Sequence, residues 1–276
     1  MRSSKRARGI LVHAVLLLGV LLSLFPFYWT VVLATNNTSD VYRDPPKLVF
    51  GSELFVNIRN MLSNIDFFGS MFNTLIVALC TTALVLFLDS LAAFTFAKYD
   101  FPGKRALFGL LLLTFMLPMQ LALIPEFEIM VKLNWVGDLR ALIIPAAANA
   151  FGIFWMRQYT AGAVPSELLE AARLDGCGFF RQYWHVCLPI IRPGLAFLGI
   201  YTFVGAWNDY IWPLIVLVNP NRITLQVALA QLNTAHGADY SMIMAGALLA
   251  LVPVVLVFVV FARQFMAGAV KGALRG

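Results

Sequence analysis

Charge is what this sequence has least of. Only 12% of its 276 residues are Asp, Glu, Lys or Arg, against roughly a quarter in an ordinary soluble domain, while 61% are hydrophobic. A soluble chain would have to hide nearly all of that apolar surface, and a domain of about 300 residues buries only about 75% of its surface. Lipid takes the remainder. Cysteine is also scarce: Cys80, Cys177 and Cys187 show no CxxC pair and no disulfide framework. Cys80 sits in an apolar run as a small packing residue. The nine residues between Cys177 and Cys187 match no standard zinc spacing. No G-x-x-x-x-G-K-[ST] is present; Lys104 follows Gly103 but lacks both the upstream glycine and the following hydroxyl residue, so nothing here cradles ATP phosphates. No HExxH is present, and His13, His185 and His236 are scattered. Glu126 and Glu128 lie beside Pro125 with no visible acid–base partner. An intramembrane enzyme is therefore disfavoured, and the lack of a clear internal repeat counts against an ion-coupled secondary transporter, which would otherwise use Asp89 and Asp209 as a proton relay.

What is present is a series of apolar runs near the length of roughly 20 residues that a helix needs to cross the hydrocarbon. The mean hydropathy is +0.81 and the pI about 9.4. The net charge of +6 is not gathered on one face as nucleic acid would require; the basic residues punctuate the ends of the runs. Residues 1–9, with Arg2, Lys5, Arg6 and Arg8, form a basic N-tail, and a run from Ile10 to Val32 follows. That run is longer than a signal-peptide core and has no A-x-A site after it, so it reads as a retained first helix. Residues 33 to about 70, with Asn36-Asn37, Pro45-Pro46 and Gly51, read as a large polar loop. Further spans are expected at about Met71–Ala97, Ala106–Leu123 (interrupted near Pro118), Ala141–Tyr159, Leu195–Val218 and Met242–Phe261. Residues 124–139 read as a structured loop and 263–276 as a tail.

The expected fold is thus an all-α membrane protein with six transmembrane helices and one transmembrane domain over 10–262. With the N-terminus inside, inner segments hold 14 of the 20 lysines and arginines. This asymmetry places both termini, and the charged segment 160–192, in the cytoplasm.

That segment carries seven charged or histidine side chains and cannot span. Within it, Pro165-Ser166-Glu167-Leu168-Leu169-Glu170-Ala171-Ala172-Arg173-Leu174-Asp175-Gly176 reads as a short helix. Pro165 suits its first turn, Glu167 and Glu170 favour its positive end, and Gly176 suits a left-handed stop. A second short helical stretch reaches His185, and Leu188-Pro189 leads back to the membrane. Two readings stand: an amphipathic helix on the bilayer surface, or a docking element in which Ala171 and Ala172 admit a partner's surface closely.

Glu170-Ala171-Ala172, Gly176, Val186 and Leu188-Pro189, at their spacing, resemble the EAA loop of ABC importer permeases, with valine where isoleucine is usual. Phe101-Pro102-Gly103-Lys104 resembles the turn after the second span in carbohydrate-type permeases, and Trp207-Asn208-Asp209-Tyr210 with Trp212-Pro213-Leu214 resembles their fifth span. Ala267-Gly268-Ala269-Val270-Lys271-Gly272 resembles the C-terminal tail of the smaller maltose-type permeases. The resemblance implies a permease subunit that forms half of a translocation pathway for a sugar or sugar-like solute, in a bacterial or archaeal plasma membrane. Its implied partners are a homologous second permease, a cytoplasmic ATPase pair that holds the ATP and magnesium, and an extracytoplasmic solute-binding protein. Glu170, Ala171, Ala172, Asp175, Gly176, Leu188 and Pro189 would couple to the ATPase, and Gly268, Val270, Lys271 and Gly272 would contact it from the tail. Glycerol phosphate or a glycerophosphodiester is the alternative cargo within the same family.

Two carboxylates fall inside expected spans, where charge is costly and marks function or pairing. Asp89 reads as structural. Asp209, among Trp207, Asn208, Tyr210 and Trp212, stands either on the solute path or in an interfacial aromatic belt.

Overall fold

The computed structural model describes residues 2–233 and 239–273, with side chains described for all of these except 2–8, 10, 41, 119 and 262–273. Among the described residues the regular structure is helical. The elements are α1 (Arg2–Thr35), α2 (Thr38–Val41), α3 (Leu54–Asn64), α4 (Phe67–Lys98), α5 (Lys104–Met116), α6 (Leu123–Lys132), α7 (Arg140–Ile143), α8 (Ala150–Ala163), α9 (Ser166–Leu174), α10 (Phe179–Gln182), α11 (Leu188–Asn208), α12 (Ile211–Val216), α13 (Leu225–Gln231) and α14 (Tyr240–Ala273). A π-helical turn, Tyr183–Cys187, joins α10 to α11.

Among the described residues four segments are long and apolar enough to cross a membrane: Leu11–Thr35, Phe67–Lys98, Phe179–Asn208 and Tyr240–Phe261. A fifth is formed if the bent pair Lys104–Met116 and Gln120–Lys132 is one crossing; its halves meet at 91°. The break was expected near Pro118, and its cause is local. Leu117 precedes the proline and is extended, with φ −78° and ψ 131°, as the clash with the proline ring demands. Residues 124–139, expected as a loop, contribute α6. The expected fourth span, 141–159, is no single helix: α7 and the 3₁₀ turn Pro145–Ala147 come first, and α8 starts only at Ala150. Asn149 caps α8, its side-chain oxygen accepting the Gly152 N–H at 2.7 Å, which satisfies one of the donors a new helix start leaves open. The fifth run begins upstream of Leu195, since the π turn lets the helix pass through Pro189 without a break, and it ends at Asp209 before α12.

Packing divides the chain into two compact units. One comprises residues 1–67 and 228–252. Its stretch after α1 is ordered by amides. Asn36 Nδ2 donates to the carbonyls of Val32 (2.9 Å) and Val49 (2.8 Å). Asn57 Nδ2 donates to those of Ala34 (2.9 Å) and Asn36 (3.0 Å). Asn57 lies on α3, an amphipathic helix inside the expected irregular loop.

The other unit comprises residues 68–227 and 253–276. Its axis is α4, which carries a core cluster towards each end. One gathers Val85, Ala93, Phe94, Met156, Val164, Leu169, Tyr183, Cys187, Ile191 and Leu198. The other gathers Val77, Met130, Ala141, Leu142, Val216 and Leu217. Val77 and Phe94 stand 17 residues apart, about 25 Å along a helix rising 1.5 Å per residue.

Candidate functional site

The segment 165–189 folds against the Phe94 end of α4. Pro165 takes an extended backbone (φ −63°, ψ 138°) and sits at the N-cap of α9, one position earlier than expected. Leu169 and Ala172, three apart and so on one helix face, are buried. The opposite face presents Glu167, Leu168, Glu170, Ala171 and Leu174, the last 90% exposed. The small-sided face expected of Ala171 and Ala172 therefore splits: Ala171 points outward, while Ala172 packs inward because the Leu169 stripe takes it into the core.

The end of α9 is fixed by its backbone. Gly176 has φ +78°, the left-handed conformation expected of it. Its N–H donates to Arg173 O at 3.0 Å and the Cys177 N–H donates to Ala172 O at 2.8 Å, the paired bonds of a Schellman stop. Asp175 is exposed before it. The chain then turns into α10 and the π-helical turn, where Phe180 and Trp184 respectively add exposed aromatic surface (63% and 49%). Leu188 is half-buried against the core cluster and Pro189 is exposed in the first turn of α11. The result is a firmly seated turn whose outer surface mixes leucine and aromatic side chains with carboxylates.

The expected solute-path quartet does not act as one surface. Trp207 is 1% exposed, stacked on Phe203 with ring centroids 5.6 Å apart, and its carbonyl accepts from Gln226 Nε2 at 3.4 Å. It is a core residue, because the i, i+4 register with Phe203 turns it inward. Asn208 and Tyr210 are exposed and Asp209 half-buried, at the break between α11 and α12. Around them Trp212 Nε1 donates to Ala141 O at 3.0 Å. Asp138 pairs with Arg140 at 3.1 Å and with Arg222. Slight burial raises the Asp138 pKa, but the Arg140 N–H, its guanidinium and Arg222 outweigh that and hold the carboxyl below its usual range. Asp89 is 0% exposed. One carboxylate oxygen accepts the Asn149 N–H at 3.2 Å, and the other lies where a Cβ on Gly152 would fall, so it anchors α4 to the start of α8. Gly268, Val270, Lys271 and Gly272 fall among residues whose side chains are not described.

Residues 90–268 match the family described as the binding-protein-dependent transport system inner membrane component. The chain belongs to that family. It is 34% identical over 264 residues to a lactose transport system permease protein of Rhizobium radiobacter, covering 96% of each chain. It is 31% identical to an arabinooligosaccharides transport system permease protein of Halalkalibacterium halodurans, covering 92% of each, and 32% identical to an sn-glycerol-3-phosphate transport system permease protein of Yersinia enterocolitica, covering 98% and 99%. The fold matches a chain of a bacterial ABC transporter that imports the acidic polysaccharide alginate, with a TM-score of 0.80, 23% identity and 95% of this chain covered. The protein is accordingly a multi-pass permease subunit of an ABC importer in a bacterial inner membrane, and the family is one of membrane permeases rather than enzymes. Family membership removes the ion-coupled secondary transporter from consideration.

Within this permease, residues that sequence reasoning passed over hold the 165–189 segment in place. Tyr183 Oη lies 2.7 Å from Ser90 Oγ, and Tyr99 and Gln182 form a second bridge between α4 and the turn. Their only signal in sequence was polarity inside aromatic surroundings, Tyr99 beside Phe101 and Gln182 between Phe180 and Tyr183.

Proposed function

We propose that this permease forms half of a translocation pathway for a neutral sugar or sugar-like solute and transmits ATP hydrolysis through the surface of α9 and its Gly176 turn. The observation that carries this reading is the turn itself: a backbone-locked stop, seated on a buried core, that leaves Leu174 and its neighbours unburied next to Glu167, Glu170 and Asp175. A helix lying on a bilayer would turn its apolar residues to lipid and keep carboxylates away from an anionic surface; here both kinds share the exposed face, which suits a protein cleft. ATP and magnesium are then held by a separate cytoplasmic ATPase pair. A homologous permease supplies the other half of the pathway, and an extracytoplasmic binding protein delivers the solute. Both termini and residues 160–192 lie in the cytoplasm. The bent α5–α6 pair and the α7–α8 region complete six crossings. Asn208, Asp209 and Tyr210 offer hydrogen-bonding and aromatic surface to a polyhydroxylated solute, and Gly268, Val270, Lys271 and Gly272 reach the ATPase from the tail.

The sugar reading draws support from the lactose and arabinooligosaccharide relatives; the sn-glycerol-3-phosphate relatives keep a phosphorylated cargo as the second reading. The test is reconstitution of the complete importer in liposomes. ATP-dependent uptake of lactose or arabinooligosaccharide, with none of sn-glycerol-3-phosphate, is expected, and the reverse result overturns the cargo. Cysteine at Ser166 should resist an impermeant thiol reagent in intact cells, and labelling from outside would sink the orientation.

A further inference from the structure

The turn that presents Leu174 is tied to the end of a membrane-spanning helix by a two-bond chain through the half-buried Tyr99 and the buried Gln182. Tyr99 follows the last turn of α4, its N–H donating to Thr95 O at 3.1 Å. Its hydroxyl donates to Gln182 Oε1 at 2.8 Å. Gln182 is 3% exposed, and its Nε2 donates to the carbonyl of Cys177 at 2.7 Å. That carbonyl belongs to the residue directly after Gly176, whose N–H is already engaged with Ala172, so the peptide groups on both sides of Cys177 are held. The Tyr99 ring also meets the other limb of the turn: the Arg173 guanidinium lies over it at 5.2 Å. Phe94 and Phe179 pack against its edges, with centroids 5.3 and 5.2 Å away. The backbone of Tyr99 is itself fixed by Lys104 Nζ, which donates to its carbonyl at 2.8 Å.

A glutamine is a costly choice for a position this buried unless its bonds are needed, since leaving either end unpaired carries the desolvation penalty of a buried polar group. What the amide supplies is direction: it links one tyrosine on the span to one carbonyl in the turn. Ser90 and Tyr183 add a parallel tether further up the same helix.

We propose that Tyr99 and Gln182 are positioning residues for the ATPase-docking turn, setting the placement of the Leu174 surface relative to α4. This rests on the docking reading above. Neither residue touches the ATPase or the solute in this scheme; each acts through the Cys177 carbonyl and, for Tyr99, through Arg173.

The test uses the complete permease pair in lipid nanodiscs, titrated with fluorescently labelled ATPase subunits, with thermal unfolding of the permease measured in parallel. Tyr99→Phe keeps the ring and its packing and removes only the hydroxyl. Gln182→Glu still accepts from Tyr99 but, once ionised, has no donor for Cys177, so the titration is repeated at about pH 9, above the range to which burial pushes a carboxyl. Each variant should weaken ATPase binding measurably but by no more than about 10-fold, since at most the free energy of the lost hydrogen bond can pass to the docking equilibrium, and the double variant should be no weaker than either alone, since both break one chain. Unfolding temperatures should fall by no more than the few degrees that one lost buried hydrogen bond explains, and Asp138→Asn, a mild destabilisation far from the turn, should leave ATPase affinity at wild type. Wild-type affinity in both variants, additive losses, or an equal affinity loss in Asp138→Asn would each overturn the inference. Leu174→Asp separates this from the docking reading. If it leaves affinity unchanged, the docking reading fails; if it abolishes binding while Tyr99→Phe and Gln182→Glu do not weaken it, only the positioning inference fails.

Discussion

The two ends of α4 solve the same problem, holding short broken helices against a long one, by different means. At the Phe94 end the fastening is buried: an aromatic cluster of Phe94, Tyr99, Phe179 and Tyr183, with hydroxyl and amide side chains bonded inside it. At the Val77 end the apolar cluster is smaller and the fastening is mixed: the exposed Asp138–Arg140–Arg222 pairs, the part-buried Trp212 indole on Ala141 O, and the Leu225 N–H donating to the buried Thr74 Oγ1 at 2.8 Å. Buried hydrogen bonds in an aromatic core resist bending because each lost partner leaves an unsatisfied group, whereas exposed ion pairs contribute little and exchange readily with water. The Phe94 end, which carries the turn proposed to dock the ATPase, therefore holds the denser aromatic and buried polar fastening, while the end where α6, α7 and α12 meet relies in part on exchangeable ion pairs.

The largest effect should come from breaking the Phe94 end at its stop. Gly176→Val forces a β-branched residue into φ +78°, which costs about 1–2 kcal/mol or reshapes the turn. The variant is expected to insert and pair with its sister permease yet lose uptake; normal uptake together with normal ATPase stimulation in the purified complex would defeat the docking reading. Next is the seam behind the turn. A Cβ on Gly194 would stand 2.8 Å from the Tyr159 ring, so Gly194→Leu should wedge α11 from α8 and cost about 1–3 kcal/mol, seen as a lower unfolding temperature in detergent. An unchanged melt would mean that the seam is loose. Asp89→Ala should cost a comparable or smaller amount, about 1–3 kcal/mol, by orphaning the Asn149 N–H. Asp89→Asn, which retains an acceptor, should lie between it and wild type, and the order of the three melts checks the anchor.

The smallest effect belongs to the Val77 end. Asp138 has its pKa held down, so its contribution is complete above the ordinary carboxylate pKa and is lost as pH falls through the depressed folded value. Asp138→Asn should cost about 0.2–1 kcal/mol near neutral pH, and the melting curves of variant and wild type should converge as the solution is acidified below the usual carboxylate range. A gap that persisted in acid would show that packing, not charge, holds this end.

Long apolar runs were legible in the sequence because crossing a bilayer imposes a length, and so α1, α4 and α14 stand close to where hydropathy puts them. The Gly176 stop was legible because only a few residue types tolerate its backbone. The breaks were read less well. Pro118 was seen as an interruption, but the turn of 91° into α6 was not, and the capping choice of Asn149 that delays α8 to Ala150 has the same composition as an uninterrupted span. The helix α3 was hidden for a related reason: its asparagines look like loop residues until Asn57 is found bonding the carbonyls of Ala34 and Asn36.

By itself the sequence determined that this chain lives in lipid, roughly where its long helices run, and that residues 165–189 form a turn with a glycine stop. These follow from local quantities, hydropathy over a span and one residue's allowed backbone. Which of Ala171 and Ala172 faces outward, that Trp207 is buried against Phe203, and that Tyr99 reaches Gln182 across 83 residues of chain were decided only by tertiary structure, because burial and hydrogen bonding depend on partners that approach from distant parts of the sequence.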